Sequence, residues 1–232
     1  MHQTCEDGEV KIAMQYQALH AELRSRLTAL SSAISASCGQ GLTDLPKHAE
    51  NLVAGLLSEL LGYRNVRNLN AGERMNFPGL DLADDEKSTG FQVTATASLE
   101  KVKDTLTTVL HHRLHERYTH IKVIVLSERQ SSYSQTAIDG ILRGKMQFSA
   151  ANDILDFRDV LRLSTNASPV TLARAIAVLD AYERGALDGL VSADFDPPSV
   201  TEEVELNLLE LFFPPTVYSS PNSASGMRWA VP

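Results

Sequence analysis

The chain has 232 residues, 43% hydrophobic and 22% charged, enough for one substantial core with appendages. Its formal net charge is −8, but the segment from residue 180 onward carries −7 of it, so the rest is nearly neutral and free to present a basic face to phosphates. No run approaches the roughly 18 apolar residues of a membrane span.

The opening MHQTCEDGEV carries acids where a secretory leader would carry positive charge and then an apolar run. Two cysteines, Cys5 and Cys38, fit a reducing compartment and show no metal-ligand spacing. These features point to a cytoplasmic protein.

Residues 9–36 read as a helix, with Ile12, Tyr16, Leu19, Leu23, Leu27, Leu30 and Ile34 in steps of three or four. It suits packing on its own domain, with a homodimer contact as the alternative. SCGQG at 37–41 ends it. A second helix is expected over 46–61, with Pro46 at its start, Gly62 at its end and Glu50 beside its apolar face. The period then shortens. Strands are expected over 63–69, 77–83 and 90–95, as a meander. Ser98 is a plausible N-cap for a helix over 98–117, and 121–126 (IKVIVL) reads as a strand buried on both faces. Helices follow over 135–142, 154–163 and 169–184. From about residue 192 prolines break any long element, although ELNLLELFF at 205–213 is apolar enough to dock. The order α-β-β-β-α-β, followed by helices, defines an α/β protein.

The chemistry concentrates on Asp81 and Gln92, which have ten residues between them on two strands of the meander. An antiparallel pairing can bring them side by side. Alternation places Gln92 and Thr94 on one face, and Glu50 can reach that cluster from the preceding helix. Hard oxygen donors grouped this way suit Mg²⁺, which takes one or two carboxylates with waters and phosphate oxygens. Lys101, in the first turn of the next helix, opposes the helix dipole, and a nearby carboxylate or phosphate would offset that cost. On spacing alone, the same residues also fit exposed polar positions. His111, His112, His115 and His120 crowd one region without an obvious third ligand and read as a wet helix face. Lys103, His111 and Arg113 share that region and are candidates for phosphate contact. Asn68, Asn70 and Asn76 read as turn residues, with one of them able to lie near the site. There is no glycine-rich phosphate loop, CxxC or GxSxG.

The order Glu50…Asp81-x10-Gln92-x-Thr94…Lys101 resembles the active site of the PD-(D/E)xK nuclease superfamily. More closely, AENL, NLNAGERMNFPGLDLAD and FQVTATASLEKVKDTL resemble the SMEK domain of bacterial proteins linked to antiphage defence. DILDFRDVLRLS at 153–164 is similar to that family's closing segment, and ELNLLELFFPPTVY to a segment that follows it in some relatives. The resemblance covers about residues 44–185. It implies a restriction-endonuclease-like core with an N-terminal helix and C-terminal helices. It also implies a Mg²⁺- or Mn²⁺-dependent DNA endonuclease. Glu50, Asp81 and Gln92 would then hold the metal, and Lys101 would be the catalytic lysine. Two departures stand out: Gln92 replaces an acid, and Thr94 occupies the usual lysine position. A non-catalytic DNA-binding, adaptor or sensor module is therefore the alternative. The expected organisation is an N-terminal helix at 1–43, the domain at 44–190 and an acidic tail at 191–232. The expected partners are DNA, a second copy of the chain and a defence-system protein.

Overall fold

The computed structural model describes residues 3–40, 44–72 and 76–185. These lie within one compact unit, Met1–Phe195. A second unit, Asp196–Pro232, falls outside the described residues, and with it the expected tail and its apolar piece at 205–213.

Two helices open the chain, α1 (Gln3–Gly39) and α2 (Asp44–Leu61). Gly62 (φ +69°) ends α2 in the left-handed conformation, and the Tyr63 N–H reaches back to the Leu57 carbonyl at 3.2 Å. Glycine adopts that left-handed conformation without a Cβ penalty, which is why it so often follows a helix. Strand β1 (Val66–Asn68) leads into a single helical turn, α3 (Leu69–Gly72). Strands β2 (Leu82–Asp84) and β3 (Thr89–Thr94) follow, joined by a tight turn. Helix α4 (Leu99–His111) is capped by Ser98, whose Oγ accepts the Lys101 N–H at 3.1 Å, as its sequence position predicts. Strand β4 (His120–Val125), helix α5 (Gln135–Leu142), helix α6 (Ala150–Asp153), strand β5 (Ile154–Asp156), helix α7 (Phe157–Leu163) and helix α8 (Pro169–Glu183) complete the described chain.

The five strands form one open sheet in the order β1-β2-β3-β4-β5. The first three form an antiparallel meander, β2 pairing antiparallel with both β1 and β3, whereas β4 and β5 run parallel to β3. Parallel neighbours require crossovers, which α4 supplies before β4 and α5 with α6 before β5. Side chains of β4 alternate between two cores. Ile124, with Leu126 just beyond the strand, joins the core beneath α1, α2 and α8, whereas Ile121, Val123 and Val125 join the core beneath α4 and α5. The expectation of a strand buried on both faces therefore holds, and the protein is of mixed α/β class.

Three expected boundaries are corrected. Residues 154–163 are not one helix. Ile154 and Leu155 pair with Val123 and Ile124 as strand β5, and Asp156 then caps α7. The Asp156 carboxylate accepts the Arg158 and Asp159 N–H groups, so the helix can begin only after it. The helix expected over 98–117 stops at His111, because Arg113 turns left-handed (φ +57°) and a separate 3₁₀ turn, Leu114–Glu116, brings Tyr118 into the core. The strand expected over 77–83 is laddered only over Leu82–Asp84. Gly79 (φ +74°) bends the chain beforehand, packed so tightly on α4 that a Cβ there would lie 3.0 Å from Thr108 Cγ2.

Candidate functional site

Asp81 sits one residue before β2, yet it is held to the sheet from both sides. Its N–H donates to the Phe91 carbonyl and its carbonyl accepts from the Leu69 N–H, each at 2.8 Å. This anchoring aims its carboxylate at β3. One oxygen, Oδ2, accepts the Val93 N–H at 2.7 Å and a short hydrogen bond from Gln92 Nε2. The other, Oδ1, accepts from Asn70 Nδ2 at 3.2 Å. The side-by-side meeting of Asp81 and Gln92 expected from the meander is what the structure shows.

Glu50 arrives from α2. Its Oε2 accepts from Asn70 Nδ2 at 3.3 Å and from Asn68 Nδ2 at 3.1 Å. A single amide, Asn70, thus bridges the two carboxylates. Its own Oδ1 accepts the Phe77 N–H at 2.8 Å, which pins the amide's orientation. Asn68 uses its Oδ1 to close a local turn on the Asn70 and Ala71 N–H groups. Both asparagines therefore are turn residues, as expected, but they also position the carboxylates, a role the sequence reading missed. The local pattern, Asn-x-Asn at the end of a strand, is the same whether or not an acid lies within reach, so it carried no signal of that role.

The electrostatics follow from this crowding. Burial first, and the Glu50 charge second, push the Asp81 carboxyl from the usual carboxylate range up to about 6. The Val93 N–H, Asn70 and the Lys101 ammonium act in the opposite direction. Lys101 is thus close enough to feel Asp81, from the first turn of α4 where Ser98 starts the helix. The four expected residues Glu50, Asp81, Gln92 and Lys101 form one cluster.

Gln92 enters that cluster as a donor. Its Nε2 serves Asp81 and the Val93 carbonyl (3.1 Å), both pure acceptors, which leaves Oε1 as the amide atom suited to a cation. Thr94 is buried on the same strand, and its Oγ1 accepts the Thr96 N–H at 3.1 Å. Among the described residues, no group of three or more His, Cys, Asp and Glu could hold a metal ion. Any hard cation here would rest on two carboxylates and an amide oxygen. Such a donor set fits Mg²⁺, and two acids pressed together would lose their mutual repulsion to it.

The residues expected to touch phosphate lie apart from the cluster. Lys103 is two positions from Lys101, about 200° around α4, and so lies on a different face. His111 is exposed at the helix end, its ring 4.9 Å from that of His112. The Arg113 guanidinium is paired with Glu116 at 2.8 Å.

No helix among the described residues is long and apolar enough to cross a membrane. No curated protein and no solved structure matches the chain. A family model does match, that of the SMEK domain, over residues 22–165. Its span begins within α1, takes in Glu50, Asp81, Gln92 and Lys101, and closes just after α7, so this chain belongs to the SMEK domain family.

Proposed function

We propose that the chain is a metal-dependent DNA endonuclease of bacterial antiphage defence. In this reading, α2, β1, β2, β3, α4 and β4 form a restriction-endonuclease-like core. Three antiparallel strands followed by a helical crossover to a parallel fourth support that reading. The observation that carries the function is the junction of Glu50 and Asp81 through Asn70, with Gln92 bonded to Asp81 and the Lys101 charge acting on it.

Glu50, Asp81 and the Gln92 amide oxygen would hold Mg²⁺ or Mn²⁺. Such a metal supplies activation of water and neutralisation of phosphodiester charge. The chain's own residues do the rest. Asn70 keeps the two carboxylates at a fixed separation. The Val93 N–H holds Asp81 Oδ2 in place and favours its ionised form. The Lys101 ammonium stabilises negative charge developing on the scissile phosphate. Because Asp81 titrates near 6, it is ionised at neutral pH and protonated in mild acid, where cation binding weakens.

A second reading, a non-catalytic DNA-binding or adaptor module, is favoured by one specific observation. Both Asp81 oxygens already have protein donors. Incubation with plasmid DNA and Mg²⁺ or Mn²⁺ separates the two. The nuclease reading expects cleavage by the wild type and a loss of about 100-fold or more in Asp81→Ala and Lys101→Ala. Equal nicking by all three proteins would sink it.

A further inference from the structure

A groove of about 690 Å³ runs between α1 and α7, lined among others by Tyr16, His20, Arg24, Arg158 and Arg162. It shares Thr28, Arg158 and Leu161 with a second hollow of about 130 Å³ that ends at Ser127. Ser127 Oγ donates to the Ala95 carbonyl at 2.8 Å, just beyond the end of β3 and three residues after Gln92. The two hollows therefore form one track toward the strand that carries Gln92. Along α1 the track extends from Tyr16 to Ser32, a rise of about 24 Å. That is far longer than one nucleotide. It matches several phosphates at the roughly 3.4 Å axial spacing along one strand of a duplex.

The charge along the track is positive and partly uncommitted. Three arginines, Arg24, Arg158 and Arg162, line it against two carboxylates, Glu128 and Asp156. Arg158 is held in place by Asp156 and Glu128. Arg162 commits only Nη2, to Asp159 at 3.3 Å, so most of its donors are available. Arg24 is exposed and has no ion pair among the described residues. Guanidinium groups spread along a groove in this way suit the oxygens of successive phosphates. The Tyr16 ring, fixed by hydrogen bonds to His20 and to the Thr165 carbonyl, lies at the far end, where a base can stack.

We propose that the α1–α7 groove holds the phosphodiester backbone of a nucleic-acid strand, with Arg24 and Arg162 as the principal phosphate contacts. The proposal deepens the nuclease reading and rests on it for the source of the strand, but its test needs no catalysis. A labelled single-stranded oligodeoxynucleotide is titrated with the full chain in EDTA, followed by fluorescence anisotropy at several salt concentrations. The expected result is binding that weakens with salt. The Arg24→Ala/Arg162→Ala double variant should bind about tenfold more weakly, and its salt slope should fall by about 1.4, while Lys145→Ala, an exposed lysine beyond α5 on the other side of the sheet, binds as the wild type does. Arg24→Glu alone repeats the test without disturbing any ion pair of the described fold.

Four outcomes overturn the proposal: a wild type that does not bind, arginine variants that bind like the wild type, a loss on Lys145→Ala instead, or displacement by AMP as effective as by unlabelled strand. Binding in EDTA without cleavage in Mg²⁺ supports the groove and removes the nuclease. Cleavage by arginine variants that bind normally does the reverse.

Discussion

Asp81 is where stability and chemistry pull against each other. Burial beside Glu50 raises its carboxyl to about 6, so the folded protein favours the protonated form more than the unfolded chain does. For an acid whose folded value is raised, stability is unaffected below the unfolded value near 4. It falls as pH rises toward 6, and the full penalty applies above that. A shift of this size corresponds to something on the order of 2–3 kcal/mol. Asp81→Asn removes the charge but keeps one acceptor oxygen for the Val93 N–H or Gln92. Melting curves should therefore show the variant gaining on the wild type between about pH 4 and pH 6, with little further change above that. Parallel pH profiles for the two proteins would contradict this. The same residue illustrates what was readable at this scale. Asp81, Gln92, Glu50 and Lys101 could be named from chain order and from the family words. The Asn70 bridge could not, because an asparagine after a strand has the same local signature whether or not its amide also reaches two acids.

Among the elements, α7 depends on its first residue. Asp156 is almost fully buried, and its carboxylate accepts from the N–H groups of Arg129, Arg158 and Asp159 and from the Arg158 side chain. Asp159 completes a reciprocal capping box and pairs with Arg129 at 2.6 Å. Asp156→Ala leaves several buried donors without an acceptor and removes one of the two carboxylates that pair with Arg158. The expected loss in chemical denaturation is about 3 kcal/mol, more than a surface helix cap alone contributes. A loss below about 0.5 kcal/mol would show that the network is replaceable by solvent. From sequence, Ile154–Leu163 reads as one continuous helix. Only the parallel pairing of Ile154 and Leu155 with β4 separates strand from helix, since three residues are too few for periodicity to decide.

For the whole molecule, the question is whether α1 is an appendage. Leu23, Leu27 and Ile34 are fully buried in the core shared with α2 and α8, and Arg26 bridges α1 to Asp180 (2.7 Å) and Glu183 (2.8 Å). The SMEK match likewise begins at residue 22, inside the helix. Removing three buried aliphatic side chains at roughly 2–5 kcal/mol each is comparable to the whole stability of a typical domain. A chain beginning at residue 44 should therefore lack a cooperative thermal transition, whereas one beginning at residue 14 should keep it. A sharp transition in the shorter chain would make α1 an independent arm.

Sequence by itself determined the elements whose signals are local. The 3.6-residue apolar period of α1 and α2, the glycine after Leu61, the Ser98 cap and the two-faced apolar run of β4 each depend on neighbours within a few residues. Chain order and family words also singled out Glu50, Asp81, Gln92 and Lys101. Tertiary structure alone decided the rest. It set the sheet order and the identity of β5. It joined Glu50 to Asp81 through Asn70, raised the Asp81 carboxyl, and laid Arg24 beside Arg162 across a groove. Each of these depends on contacts between residues far apart in sequence, where distance, burial and charge become defined only once the helices have packed onto the sheet.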